Sequence, residues 1–201
     1  MGRGALFAPI EDEFGPVAAT SAKGREAWMA RVLILGYGNP LRGDDGLGWH
    51  AAGRLAQTLG DEETMVLALE QLTLDLVDHL VASDLVIFMD ACRSEAPGEL
   101  TIQAVEADSP PCGTFAHHLD PPGLLAYACQ LYGKCPKGLL VTVSGENFGF
   151  GEKLSPAVEE MLPFLAERVE QAIAEFVLNR REDPASQGVR ESLPMKSPTG
   201  P

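Results

Sequence analysis

No stretch of the 201-residue sequence approaches the roughly 18–20 consecutive apolar residues that span a bilayer. The first thirty residues also lack a basic segment joined to an apolar one, so no secretory signal is expected. Cations are scarce: Lys and Arg total 15 against 29 Asp and Glu, a formal charge of −14. Such a chain repels phosphate backbones and anionic lipid, which argues against nucleic-acid and membrane-surface roles. Cysteine is limited to Cys92, Cys112, Cys129 and Cys135, with no CxxC spacing for a metal. Without a secretion signal these are expected as reduced thiols. Two nucleotide and hydrolase motifs are missing as well. Gly36-Tyr37-Gly38 is followed by Leu41 where a dinucleotide fingerprint needs its third glycine, and Pro40 falls where a helix should receive the pyrophosphate. Ser144-Gly145-Glu146 is not a serine-hydrolase elbow, and no internal repeat is visible. What remains, with 45% hydrophobic and 22% charged residues, is one soluble, acidic, cytoplasmic domain, expected as a monomer.

Residues 1–30 show no sustained period, and Met29-Ala30-Arg31 leads straight into the apolar run Val32-Leu33-Ile34-Leu35. Met29 is therefore read as the natural start, with 1–30 as an upstream extension or a disordered leader. From Arg180 to Pro201 the chain has little to bury and is expected as a disordered tail. The folded domain is then 31–179.

Within it, strand and helix patterns alternate. Val32–Leu35 is a wholly apolar run ended by Gly36, as a strand buried on both faces requires. Gly46–Leu59 carries Leu47, Ala51, Leu55 and Leu59 at helical spacing. Met65–Leu69 is a second strand, and Thr73 is placed to cap a helix through Ala82. Leu85–Met89 is a third strand ending at Asp90; only a short turn separates it from Glu99–Val105, which predicts an antiparallel hairpin between the two. Leu119–Tyr132 is helical, Gly138–Val143 is a strand, and Ser155 is expected to cap a long helix to about Leu178. The fold class is α/β. A mostly parallel sheet of about five strands with one antiparallel strand lies between helical layers, in a flavodoxin-like or phosphorylase/hydrolase-like three-layer arrangement.

Topology points to a site. With a strand order resembling 2-1-3, the first and third strands are neighbours whose following segments diverge, and ligands bind in the crevice beyond their carboxyl ends. The loop after the first strand carries Asp44 and Asp45, and the third strand ends at Asp90. Each could simply cap backbone N–H groups. Converging on one crevice, however, three carboxylates repel one another unless a cation or a shared proton intervenes. A divalent metal resolves this, and His117 and His118 are the imidazoles at hand; His50 and His79, inside helices, read as packing or surface residues. Carboxylates with one imidazole suit zinc, nickel or a similar ion with positions open to water or substrate.

The blocks LGYGNPLRGDDGLG (35–48), VIFMDACRSEAPGEL (86–100), AHHLDPPGLL (116–125) and GEKLSPAVEEML (151–162) resemble the nickel–iron hydrogenase maturation endopeptidases, in order and at matching intervals from about Arg31 to Phe176. The resemblance implies an aspartic-type peptidase that removes a C-terminal extension from the hydrogenase large-subunit precursor after nickel insertion. Carried over by position, it implies Asp45, Asp90 and His117 as metal contacts, with Asp45 and Asp90 catalytic. His118, Asp44 and Glu70 stand as secondary candidates. The nickel would arrive with the precursor and be weakly held or absent in the isolated protein. Where many family members carry Asp-Gly-Gly-Thr, this chain has Glu70-Gln71-Leu72-Thr73, similar to the branch serving soluble multi-subunit hydrogenases. Two other functions fit the same residues: a metallohydrolase that keeps its own zinc, and a non-catalytic nickel-sensing chaperone.

Overall fold

The computed structural model describes residues 31–61, 63–108 and 119–182. The leader 1–30, the tail beyond 182, Cys112, His117 and His118 fall outside the described residues. Five apolar segments form a single sheet: β1 (Val32–Tyr37), β2 (Thr64–Leu69), β3 (Leu85–Arg93), β4 (Leu100–Val105) and β5 (Lys137–Gly145), in the order β2-β1-β3-β5-β4. β1 runs parallel to β2 and β3, and β3 runs parallel to β5. Helix α1 (Leu47–Leu59) and helix α4 (Pro156–Glu182) cover one face of the sheet, closing over Ile34, Ile87 and Val141. Helices α2 (Val77–Ala82) and α3 (Pro121–Tyr132) cover the other, over Leu35 and Phe88. The central strands β1 and β3 are buried on both faces, which is why they read as unbroken apolar runs rather than alternating ones. The three-layer α/β fold with one antiparallel strand is thus present.

The antiparallel strand has a different partner from the one the short 94–99 link predicts. β4 pairs with β5, not β3, in a register that sets Leu100 against Val143 and Val105 against Gly138. Both edges of β3 are already taken by parallel ladders, so β4 is left the outer edge of β5. The link passes over the end of β5, where Gly98 N–H bonds to Ser144 O at 2.7 Å and Ser144 N–H to Glu99 O at 2.9 Å. The alternating exposure of β4 is that of an edge strand with one wet face.

Several ends also shift. β3 continues past Met89 to Arg93 because β5 runs beside it to Gly145, so Asp90 sits within the strand and not after it. Thr73 makes no side-chain cap; a 3-10 turn, Leu74–Leu76, leads into the six-residue α2 instead. Ser155 starts α4 through its carbonyl, which accepts from Val158 and Glu159 N–H, with no hydroxyl bond to the helix among the described residues. α4 extends to Glu182, into the stretch expected as tail, with Arg180 paired to Asp84 at 2.9 Å. Cys129 and Cys135 are not reduced thiols but a disulfide. Gly133, with φ +66°, ends α3 in the left-handed region and turns the chain back, bringing the two Cα atoms to 4.7 Å.

α1 lies unusually close to the sheet. A Cβ on Gly48 would collide with the carbonyl oxygens of Met89 and Tyr37, so only hydrogen fits between helix and strands. Gly48→Ala is expected to cost about 3 kcal/mol of stability, at the upper end of the overpacking range, because backbone cannot yield as a side chain does. Urea denaturation would check it, and an unchanged midpoint would refute the close approach.

Candidate functional site

Strand alternation decides which side chains meet. On β3, Val86 and Phe88 join the apolar layer under α2 and α3, so Asp90, two residues on, faces the same way. Leu35 of β1 is opposite Phe88, and the register continued by two residues sets Tyr37 beside Asp90. Thr142 of β5 flanks Asp90 on its other side, and its hydroxyl meets that of Thr101 at 2.7 Å. A polar row from four strands thereby crowns an apolar layer. Farther along the same face, Cys92 Sγ lies 3.4 Å from Ser144 Oγ. The chain leaving β1 enters α1 on one face, whereas the chain beyond β3 and β4 enters α3 on the other. The row thus lies at the crevice that the strand order predicts.

Asp90 Oδ1 accepts the Ala91 N–H at 2.8 Å. Burial pushes its carboxyl up to about 6; the Tyr37 hydroxyl and the Ala91 N–H act against this, and the charge of Asp45 adds to it. Tyr37 is pushed well above the ordinary phenol range by its own burial first, then by the charge and hydrogen bond of Asp90 and by the charge of Asp120. The charge of Asp45, in the loop after β1, thus reaches Asp90 on the neighbouring strand β3.

Asp45 sits in a 3-10 turn, Gly43–Gly46, at the foot of α1. Its Oδ2 accepts the Asn39 N–H at 3.0 Å, and its Oδ1 has no hydrogen bond among the described residues. Asp44, one residue earlier, points the opposite way and is fully buried. Its carboxylate accepts from Ser155 N at 2.6 Å, Asn147 N at 2.8 Å and Glu146 N at 2.9 Å. Burial alone would raise its pKa, but these backbone donors prevail and hold it below the usual carboxylate value. Asp44 therefore ties the 146–155 loop to the foot of α1. Glu70 is exposed just past the edge strand β2, with β1 between it and Asp90.

Among the described residues, no group of three or more His, Cys, Asp or Glu side chains is arranged to hold a metal ion. Asp45 and Asp90 supply two carboxylates; His117 and His118, the expected imidazoles, lie outside the described residues. Two like charges in a half-buried crevice fit a cation between them. Asp120, two residues after His118, caps α3 by accepting the Gly123 N–H at 2.9 Å, and its charge reaches Tyr37. Of the other histidines, His50 is half-buried beside Trp49 and His79 is exposed, as their helical positions suggest. Tyr37 is the site residue that sequence reasoning missed. Extending the first strand by two residues would have found it, since it shares a face with Leu33 and Leu35.

A cavity of about 540 Å³ opens at the other end of the sheet, where the start of β5 meets β4 and α4, with Ile102, Lys137, Ala172 and Phe176 among its walls. Its lining holds none of the candidate residues. No described helix is long and apolar enough to cross a membrane.

No protein-family model matches the chain, nor does any curated protein. Solved structures do. The hydrogenase maturating endopeptidase HybD from E. coli is 29% identical, with 72% of this chain and 93% of that one covered at a TM-score of 0.61. A NiFe hydrogenase maturation protease, HycI from Thermococcus kodakarensis KOD1, is 26% identical over the same shares, 72% and 93%, at 0.59. An endopeptidase from Escherichia coli, solved in solution, is 25% identical with 72% and 93% covered at 0.57. The likeness suggested by the motifs is thus present in the fold as well.

Proposed function

We propose, from the premise that this chain is built like the hydrogenase maturation endopeptidases, that it removes the C-terminal extension from a hydrogenase large-subunit precursor once nickel is in place. The observation that supports this is that Asp45, in the loop after β1, acts by its charge on the half-buried Asp90 of the neighbouring β3, at the switch point of a sheet built like that of such endopeptidases. Nickel belongs to the substrate in this reading. Asp45 and Asp90 would grip it, with His117 as the third donor that the motif resemblance implies. An empty precursor offers these carboxylates nothing to bind, so metal recognition becomes substrate selection. Peptide hydrolysis also needs a base for the attacking water, and the same two carboxylates fill the aspartic-type role. A carboxyl held near 6, like that of Asp90, ionises just below neutral pH, where either duty needs it charged. In this reading the protein works in the cytoplasm, as a monomer, with the precursor as its partner.

One incubation tests this. Purified protein is mixed with nickel-loaded and with nickel-free precursor, and the products are weighed by mass spectrometry. Shortening of the loaded form alone is expected. Cutting of both forms would instead favour a hydrolase holding its own zinc, and binding without shortening a chaperone.

A further inference from the structure

Beside the crevice, two loops are locked together. Gly43 N–H bonds to Gly151 O at 2.7 Å, Gly151 N–H to Leu41 O at 2.9 Å, and Asp44 N–H to Asn147 O at 2.8 Å. The buried Asp44 carboxylate holds the same two loops from beneath. On this braced support Phe150 is 95% exposed and Leu41 56% exposed. Two guanidinium groups join them. That of Arg42 lies 5.9 Å from the Phe150 ring centre, and that of Arg93, at the end of β3, lies 4.0 Å from the ring centre of Phe148. Arg42 Nη2 also reaches Phe148 O at 3.5 Å, which makes the group continuous. Among the described residues neither arginine forms an ion pair, in a chain of formal charge −14.

We propose that Leu41, Arg42, Arg93, Phe148 and Phe150 form a ledge on which the protein substrate docks, through an apolar surface flanked by carboxylates next to its processed end. The proposal rests on the endopeptidase reading above. Three features support it. The ledge lies close to the crevice along the chain, since Arg42 is three residues before Asp45 in one loop and Arg93 is three residues past Asp90 on β3, turned to the opposite face of the sheet. Its backbone is already ordered, so docking demands little further ordering. A guanidinium stacked on a ring still turns its N–H donors outward, in the fork that matches a carboxylate. Exposed aromatic and arginine side chains at one place are also the residue types that dominate binding at protein interfaces.

The test measures the affinity of nickel-loaded precursor for the full-length protein, for Leu41→Ser/Phe150→Ser and for Arg42→Glu, with cleavage followed in parallel. The substituted side chains are exposed, so the variants should keep the wild-type circular dichroism. The double variant is expected to bind at least about tenfold more weakly, as loss of an interface anchor does, and Arg42→Glu also more weakly. If wild type cuts the precursor but the double variant binds it equally well, the ledge is overturned and the activity stands. If wild type binds without cutting and the double variant binds weakly, the ledge stands and the endopeptidase reading falls. Tighter binding by Arg42→Glu would overturn the acidic partner surface. Self-association of wild type that the double variant abolishes would assign the ledge to a second copy of the chain and overturn the proposal.

Discussion

Replacing Asp90 by Asn is expected to slow cleavage of nickel-loaded precursor by at least about a thousandfold while the fold survives. The amide keeps the size of the carboxyl and can still accept the Ala91 N–H, but it loses the anionic oxygen that a metal or a proton requires. Stability gives an independent check. The folded-state pKa of Asp90, about 6, lies above the ordinary aspartate value of 3.8, so the folded chain binds this proton more tightly than the unfolded one. The associated stability is full below about pH 4 and is lost as pH rises through about 6. The gap of about two units corresponds to roughly 3 kcal/mol at most. Metal-free Asp90→Asn should therefore lack this downward slope and be at least as stable as wild type at pH 7. Urea titrations at pH 4.5 and 7, beside the cleavage assay, would show both effects. Full processing by the variant would remove Asp90 from the mechanism.

Asp44→Ala should act in the opposite way, on the fold before the chemistry. Three backbone N–H groups lose a buried, charged acceptor at once, and the expected cost is about 3–5 kcal/mol. That is a large share of the roughly 5–15 kcal/mol that holds a domain together. The sign with pH is the reverse of that for Asp90. A depressed folded-state pKa stabilises above the ordinary carboxyl range and loses that contribution as acid protonates the group, so wild type should weaken below about pH 4 on account of Asp44. The Ala variant should lack this component. Since Asp44 braces the loop that presents Asp45, cleavage should fall along with stability. A urea midpoint close to wild type would show that the carboxylate is dispensable.

These two aspartates show where sequence reading reached and where it stopped. Asp44 and Asp45 are chemically identical neighbours, and both could be placed at the crevice. Nothing local says which one turns inward, because the choice depends on N–H groups of Glu146, Asn147 and Ser155, about a hundred residues away. The role of Tyr37 is hidden in the sequence for a similar reason. Its position beside Asp90 follows from β1 being two residues longer than its apolar run. The hairpin expected between β3 and β4 failed because link length limits which strands can pair but does not say whether an edge is vacant. The disulfide was missed because the absence of a secretion signal speaks to redox surroundings, whereas a left-handed Gly133 brings Cys129 and Cys135 together.

The sequence by itself determined the α/β class, the buried central strands and the placing of Asp45 in the loop after β1 and of Asp90 in the latter half of β3. Those follow from hydrophobic period and from the order of elements, which are written along the chain. Only the tertiary structure decided the outer place of β4, the structural duty of Asp44, the company of Tyr37 and the braced ledge around Phe150. Each depends on contacts between residues far apart in sequence, and such contacts leave no local period to read.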